Sequence, residues 1–309
     1  PKKEEPKEEP KAEDKGEKDG VKGGTIGGTP GGTVGGTPGG TIGDTGIAGL
    51  TLGGGFGWLG GRFGMTCDNL VSADVVTADG RLLNVSATAH QDLFWALKGG
   101  GGNFGIVTSF EFRLHPVGPM VAFAGPVYPM EEARTVLGRF RDFVSSAPDE
   151  VNVTAVLWSI PAGPAFPQHL HGREVVIIGG TYAGAPERGH EVLRPLREFD
   201  EPLLDMSATI PYCALQQMFD PSFRKGEHLH YWKAIYLDRF TDDVIEVIVG
   251  GCATRPSQRS MLAIWALGGA MARVPVVETA GIRTFFCGPE AFTPDLSPAV
   301  GEAPGIHGY

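Results

Sequence analysis

Glycine is concentrated in one short part of this chain. Of its 47 glycines among 309 residues, 21 lie between Gly20 and Gly64. Glycine has no Cβ, so such a segment buries few side chains and loses much entropy when it is ordered, but its backbone can approach a neighbour or a ligand closely. The packed core must therefore come from the residues that follow.

The first 36 residues are predicted to have no packed structure. Pro1 to Lys22 holds 7 Lys and 8 Asp or Glu but no aromatic residue, so little apolar burial offsets the entropy of ordering. From Gly23 the unit Gly-Gly-Thr-x recurs every four residues, too short a period for a solenoid repeat. We expect a disordered charged segment and a flexible or polyproline-like linker. A phosphate-cradling or stacked-repeat role is the alternative.

Charge, hydropathy and cysteine spacing exclude several classes of protein. The net charge of -10 disfavours a nucleic-acid partner, because phosphate binding needs clustered Lys and Arg. No apolar run approaches 18 residues, so we expect neither a membrane span nor a membrane partner. Four cysteines without CxxC spacing, and a charged start without a secretory signal, favour a reducing, cytoplasmic location.

Beyond Thr45 the apolar pattern becomes that of a globular α+β protein whose sheet carries helices on one face. The residues predicted as strands are Leu70–Ala78, Arg81–Ser86, Gly105–Pro116, Val151–Ile160, Glu174–Tyr182, His228–Leu237 and Ser260–Leu267. The residues predicted as helices are Leu93–Lys98, with Asp92 as its N-cap, Glu131–Val144, Pro186–Phe199 and Thr241–Val249. The stretch after Pro275 has no clear period, which predicts no regular structure there.

Two glycine motifs match GxGxxG, at Gly55–Gly60 and at Gly100–Gly105. A nicotinamide-binding Rossmann unit also needs a strand before the glycines and a helix after them. Only about ten residues separate Gly60 from the strand predicted at Leu70, which disfavours that interpretation. The segment Thr45–Gly57 is suited both to the close approach of a pyrophosphate and to a tight packing corner, and its residues leave the two open.

Two His-x-His pairs have a spacing that puts both rings on one face of a strand, as in some metal sites. His169 and His171 lie in a Pro- and Gly-flanked turn, and His228 and His230 have no third ligand beyond Glu227. We therefore predict loop or surface histidines and no metal site.

Several consecutive blocks of the sequence resemble a known family. TPGGTIGDTGIAGLTLGGGFGWLGGRFGMTCDNLVSADVVTADGRLLNVSA and DLFWALKGGGGNFGIVTSFEFRLHPVGP closely resemble the second half of the FAD-binding domain in berberine-bridge-enzyme-like flavin oxidoreductases. These are of the vanillyl-alcohol-oxidase or p-cresol-methylhydroxylase (PCMH) type. IPYCALQQMFD, HYWKAIYLDRF and LGGAMARVP resemble the substrate domain of that family.

The resemblance divides the chain after the linker into three parts. It implies a PCMH-type FAD-binding subdomain at residues 37–119, of which only the second half is present. A substrate domain at 120–275, with helices on one face of an antiparallel sheet, and an irregular tail at 276–309 follow.

The resemblance also assigns cofactor residues, with FAD held between the flavin-binding subdomains and the substrate sheet. The residues that would line the pyrophosphate and flavin passage are Thr45, Gly46, Gly49, Leu50, Gly53, Gly54 and Gly57. Asn69 would help to fix the loop. The backbone at Gly105, Ile106 and Val107 would reach the adenine end.

The sequence departs from the family pattern at both ends. The family's Arg-Ser-Gly-Gly-His-like loop has no counterpart, no histidine precedes His90, and Ile42 stands where doubly linked relatives carry a flavin-bonded cysteine. Covalent flavin is therefore not expected. The missing first subdomain and the missing closing segments predict a gene product truncated at both ends.

The activity implied by the resemblance is that of an FAD-dependent oxidoreductase. Such an enzyme transfers hydride from an alcohol, sugar, alkaloid or phenolic small molecule to flavin N5 while a base accepts a proton. The base candidates are Tyr231 and Tyr236, and Tyr212 and Glu227 are less favoured alternatives. Because Tyr231 and Tyr236 are five positions apart on a strand, only one of them can face the flavin. The alternative is a non-catalytic scaffold that holds no flavin.

Overall fold

A computed structural model describes residues 46–222, 231–235, 237, 239–273 and 289–293. At residues 231–234 and 289–293 the description is of the backbone. The predicted disordered segment and linker at 1–36 lie outside the described residues, as does Thr45.

The first unit is a small three-stranded antiparallel sheet with short helices. Its elements are α1 (Ile47–Leu52), α2 (Gly60–Phe63), β1 (Leu70–Val76), β2 (Leu82–Ser86), α3 (Gln91–Leu97) and β3 (Ile106–Phe112). The strand order is β2-β1-β3, so β3 lies at an edge of this sheet. The predicted hairpin is confirmed, because β1 and β2 pair across the turn in which Gly80 takes a φ of 79°.

The predicted N-cap of α3 is wrong. The helix begins at Gln91, directly after His90, whose φ of 49° puts it in the left-handed region and outside the helix. Asp92 instead lies in the first turn, where the helix dipole favours a negative charge.

The second unit is built on a large antiparallel sheet. Its strands are β4 (Met120–Ala124), β5 (Pro126–Pro129), β6 (Val151–Ser159), β7 (Glu174–Tyr182), β8 (Leu204–Asp205), β9 (Ala208–Pro211), β10 (Tyr231–Ala234), β11 (Leu262–Trp265) and β12 (Pro289–Thr293). Its helices are α4 (Ala133–Ser146), α5 (Pro186–Leu193), α6 (Tyr212–Gln216), α7 (Asp242–Ala253) and α8 (Ala270–Arg273). Within the described residues the strand order is β10-β12-β11-β6-β7-β4-β9, while β5 pairs with β7 and β8.

Helices cover one face of this sheet, as predicted. The apolar stripe of α4, including Val136, Leu137 and Phe140, is fully buried against the sheet, and α5 and α7 pack into the same core. Alternate strand residues such as Val156 point to the opposite face, where they meet the first unit. No helix in the described ranges has the length and apolar character needed to cross a bilayer.

Two predictions in this unit need correction. The helix predicted over Pro186–Phe199 ends at Leu193 and continues as a 3-10 turn over Arg194–Glu198, because Pro195 has no N–H to donate to the helical ladder. The tail predicted as irregular is not so throughout, since Pro289–Thr293 pairs with both β10 and β11.

Thr241 is the N-cap of α7, and its loss has a measurable consequence. Its Oγ1 accepts a hydrogen bond of 3.4 Å from the backbone N–H of Val244. Replacing Thr241 with alanine is expected to lower the free energy of unfolding by about 1 kcal/mol, because one N–H at the helix start loses its acceptor. Urea denaturation checks this, with Thr241→Ser as the control that keeps the hydroxyl. Equal stability of the two variants would contradict the capping role.

Candidate functional site

The predicted cofactor segment combines an open stretch and a packed corner. Gly46 and Gly49 are exposed and Gly57 is half-buried, and a Cβ added at any of these three would meet no atom within 4 Å. Gly54 and Gly55 are buried and have positive φ values of 105° and 78°. The segment therefore has an open part, where the backbone can be approached closely, and a closely packed corner.

Leu50 and Gly53 help to hold the conformation of this segment. A Cβ built on Gly55 would lie 2.8 Å from Cγ of Leu50, so the half-buried leucine closes the corner. Gly53 ends α1, and its N–H donates to the carbonyl of Gly49 over 3.1 Å.

The second glycine run lies directly beside the first. The N–H of Gly99 donates to the carbonyl of Leu52 over 3.1 Å, which joins the two runs. Gly99 and Gly101 have φ values of 106° and 73°, and a Cβ on Gly102 would meet nothing within 4 Å. We call Gly46–Gly57 and Gly99–Gly105 together the glycine bed.

The predicted adenine-end residues lie where the glycine bed runs into β3. A Cβ on Gly105 would lie 2.6 Å from the carbonyl oxygen of Val76, so only glycine fits there at its φ of 141°. Ile106 is 72 % exposed, whereas the side chain of Val107 packs into the core of the first unit. Because β3 is an edge strand, the backbone groups at its outer side are available to a ligand.

Asn69 fixes the loop that follows α2. Its Nδ2 donates to the carbonyl oxygens of Phe63 and Met65 over 3.0 and 2.8 Å. The side chain of Met65 is thereby held in the apolar layer between the two units, where it is 2 % exposed.

An aromatic cluster joins the glycine bed to the substrate sheet. The ring centroid of Trp58 lies 4.9 Å from that of Trp265 and 6.4 Å from that of Phe123, and Phe56 lies 5.7 Å from Trp265. A Cβ on Gly179 of β7 would lie 3.2 Å from the Trp58 ring. The first glycine run, at Phe56, therefore lies against the sheet face opposite α4, α5 and α7.

Helix α2 of the first unit lies directly against β6 of the second. A Cβ on Gly61 would lie 2.6 Å from the carbonyl oxygen of Asp149, so the α2 backbone nearly touches the start of β6. Arg62 donates from Nη1 to the carbonyl of Ala183 at the end of β7. Asp149 also pairs with Arg273 of α8, with one N–O distance of 3.0 Å.

Of the predicted bases, Tyr212 is the one whose side chain the structure describes. Tyr231 lies in β10, where the backbone is described, and Tyr236 lies outside the described residues, as does Glu227. Tyr212 is half-buried at the start of α6, and its hydroxyl accepts a hydrogen bond of 2.6 Å from Nε2 of Gln216. Burial raises the pKa of Tyr212 to about 12, so near neutral pH this phenol is a hydrogen-bond donor and not a base.

The histidine pairs give no metal cluster in the described part of the chain. No group of three or more His, Cys, Asp or Glu side chains comes together among those residues. The ring Nε2 of His171 lies 3.1 Å from the carbonyl oxygen of Gly163 and 3.0 Å from that of Phe166, so this histidine ties its loop together. His228 and His230 lie outside the described residues.

Cys67 and Cys213 should differ strongly in reactivity. Burial, with the nearby charge of Asp68, raises the pKa of the Cys67 thiol from its ordinary value of 9.0 to about 12, whereas Cys213 is exposed. A thiol reagent at pH 8 is expected to modify Cys213 at least a hundredfold faster, because the thiolate is the attacking form. Peptide mapping by mass spectrometry measures both rates. Comparable rates in the folded chain would contradict the buried position of Cys67.

The geometry of the glycine bed fits FAD. A diphosphate needs backbone that it can approach closely, and Gly46, Gly49 and Gly57 leave that space open. Lys98, half-buried, directly precedes the second glycine run, and its Nζ lies 5.9 Å from the centroid of the Phe94 ring. The aromatic rings next to the bed, Trp58, Trp265 and Phe123, are buried between the two units, and Phe56 lies half-buried at their rim.

Comparison with known proteins identifies the class. The structure matches BBE-like 1 of Physcomitrella patens with a TM-score of 0.69 and 20% identity, over 82% of this chain and 56% of that one. It matches a glucooligosaccharide oxidase of Acremonium strictum with a TM-score of 0.68 and 21% identity, over 84% and 57% of the two chains. The fold is therefore that of the berberine-bridge-enzyme-like, PCMH-type flavoenzymes.

Sequence relatives carry the identification further. An FAD-linked oxidoreductase of Dictyostelium discoideum is 30% identical over 234 residues, which are 75% of this chain and 48% of the relative. An FAD-linked oxidoreductase of Aspergillus terreus is 54% identical over 77 residues, or 25% of this chain and 16% of the relative. No protein-family model matches the sequence.

The chain is a relative of the FAD-linked oxidoreductases, and the resemblance noted in the sequence is confirmed. The cofactor named in these relatives is FAD. The chain spans about half the length of the Dictyostelium relative. The comparisons give no support to a non-catalytic scaffold.

Proposed function

We propose that this chain supplies the glycine bed and the substrate sheet of an FAD-dependent oxidoreductase that oxidises a hydroxyl-bearing small molecule. The observation that carries the proposal is the hydrogen bond between Gly99 and Leu52, which brings two glycine runs together. The two runs meet beside Phe56, which packs against the aromatic cluster of the substrate sheet. Neither run alone distinguishes a ligand site from a packing corner.

The glycine bed would hold FAD without a covalent bond. Gly46, Gly49 and Gly57 leave their backbone open to the diphosphate, while Gly54 and Gly55 keep the loop in its left-handed conformation. When bound, FAD would supply the two-electron redox chemistry, in which the substrate loses a hydride (one proton and two electrons) to the cofactor and its hydroxyl proton to a base. The Trp58 cluster would exclude water from one side of the site.

The substrate face favours a ring-bearing compound. Half-buried Phe56, Trp158 and Tyr212 pack at the edge of the aromatic cluster and offer flat apolar surface on which a sugar or aromatic ring can stack. Structural neighbours include proteins named as oligosaccharide oxidases and as 6-hydroxy-D-nicotine oxidase. The neutral hydroxyl of Tyr212 would orient a substrate oxygen. Tyr231 or Tyr236 would accept the hydroxyl proton.

Titration of the purified full chain with FAD tests the proposal. Bound flavin is expected to give a shifted visible absorption band and quenched fluorescence. Riboflavin, which lacks the diphosphate and adenosine, is expected to bind at least tenfold more weakly because the glycine bed contacts the diphosphate. A chain that leaves the flavin spectrum unchanged would support the non-catalytic scaffold instead. Equal affinity for FAD and riboflavin would contradict the role given to the glycine bed.

A further inference from the structure

His115 lies at the junction of the two units, just beyond β3, and sequence reasoning gave it no role. It is half-buried, and its ring stacks on that of Phe63 with centroids 4.0 Å apart and planes inclined by 17°. Its Nε2 lies 2.6 Å from Oδ1 of Asn69. One histidine thus contacts both α2 and the residue that fixes the loop after it.

The hydrogen bonds of Asn69 determine which atom of His115 carries the proton. Both contacts of Asn69 Nδ2 are carbonyl oxygens, those of Phe63 and Met65, so this atom is the amide nitrogen. The atom facing His115 is then the amide oxygen, which only accepts. His115 must therefore donate from Nε2–H.

The segment held by Asn69 in turn holds the corner of the glycine bed. The N–H groups of Thr66 and Cys67 donate to the carbonyls of Gly55 and Gly54 over 2.8 and 2.9 Å. The N–H of Met65 donates to Oδ2 of Asp68 over 2.8 Å. A continuous set of hydrogen bonds thus runs from His115 to the two buried glycines with positive φ.

We propose that His115 is a positioning residue for the glycine bed and acts through Asn69. The Nε2–H donor keeps the Asn69 amide in the orientation that binds both carbonyls of the loop. The Phe63 ring covers the other side of the imidazole. The effect on FAD rests on the proposed function, whereas the effect on the loop does not.

Two variants distinguish the role of the Nε2–H donor of His115 from the role of its stacked ring. His115→Phe keeps a ring to stack on Phe63 but removes the donor, and His115→Gln keeps an N–H near the position of Nε2. In the flavin-free full chain, amide hydrogen exchange at residues 64–67 is expected to rise about tenfold in His115→Phe, because Asn69 loses a partner, and to stay near the original rate in His115→Gln. The affinity for FAD is expected to fall about tenfold in His115→Phe and to be retained in His115→Gln.

The outcomes distinguish this inference from the proposed function. Unchanged exchange in His115→Phe, or equal effects of both variants, would overturn the role of the donor. Faster exchange with unchanged FAD affinity would leave His115 a purely structural residue and would also overturn the proposal. If the original chain binds no FAD, the proposed function fails and the exchange rates alone decide whether His115 holds the loop.

Discussion

Replacing Gly49 with leucine is expected to weaken FAD binding about a hundredfold, equivalent to about 2.7 kcal/mol, without loss of stability. Gly49 is exposed in α1, and a Cβ there meets no protein atom within 4 Å. The leucine side chain would instead fill space assigned to the cofactor. Leucine has a higher helix propensity than glycine, so the helix itself is not weakened. Fluorescence titration and thermal denaturation of the same sample measure the two quantities.

Gly250 provides the matched control for this substitution. It is an exposed glycine in helix α7, and a Cβ there also meets nothing within 4 Å. Gly250→Leu is expected to leave both FAD affinity and stability near their original values. If Gly49→Leu also bound FAD normally, the open surface at Gly49 would not be part of the cofactor site.

Replacing Gly61 with alanine is expected to lower the free energy of unfolding by about 2 to 3 kcal/mol. The new Cβ would lie 2.6 Å from the carbonyl oxygen of Asp149 and 2.7 Å from that of Val151. Both neighbours are backbone atoms at the start of β6, so α2 must move away from the sheet. Urea denaturation measures the stability, and the FAD titration reports whether the displaced glycine bed still binds.

Substitution of the adjacent Gly60 is the control that distinguishes a clash with backbone from a clash with a flexible side chain. A Cβ there would lie 2.5 Å from Sδ of Met271, the flexible part of a side chain that can change rotamer. Gly60→Ala is therefore expected to cost less than about 1 kcal/mol. Equal destabilisation by the two alanines would contradict the close backbone contact between α2 and β6.

The strands were predictable where local pattern and burial agree. Glu174–Tyr182 has the predicted bounds, because its β-branched residues Val175 to Ile178 are buried or half-buried next to β6. β1 and β2 follow from period-two alternation around Asp79-Gly80. Helix α1 could not be predicted, because its glycine, β-branched and apolar residues carry no helical period and no capping side chain.

From the residues alone the glycine bed was predictable as a pattern but not as a site, and only the family resemblance assigned it to the cofactor. Its segments were named from the sequence, yet the bond between Gly99 and Leu52 joins positions far apart in the chain. His115 gave no signal, since a single histidine after an alternating strand is typical of many loops. Its importance depends on the stack with Phe63 and on Asn69, which only the folded chain brings together.

The most direct test of the central claim is amide hydrogen exchange of the full chain with and without FAD. If the diphosphate lies on the glycine bed, FAD slows exchange at residues 46–57 and 99–107 and leaves the outer surfaces of α4 and α7 unchanged. Bound FAD that leaves residues 46–57 unprotected, and slows exchange elsewhere instead, would contradict the claim.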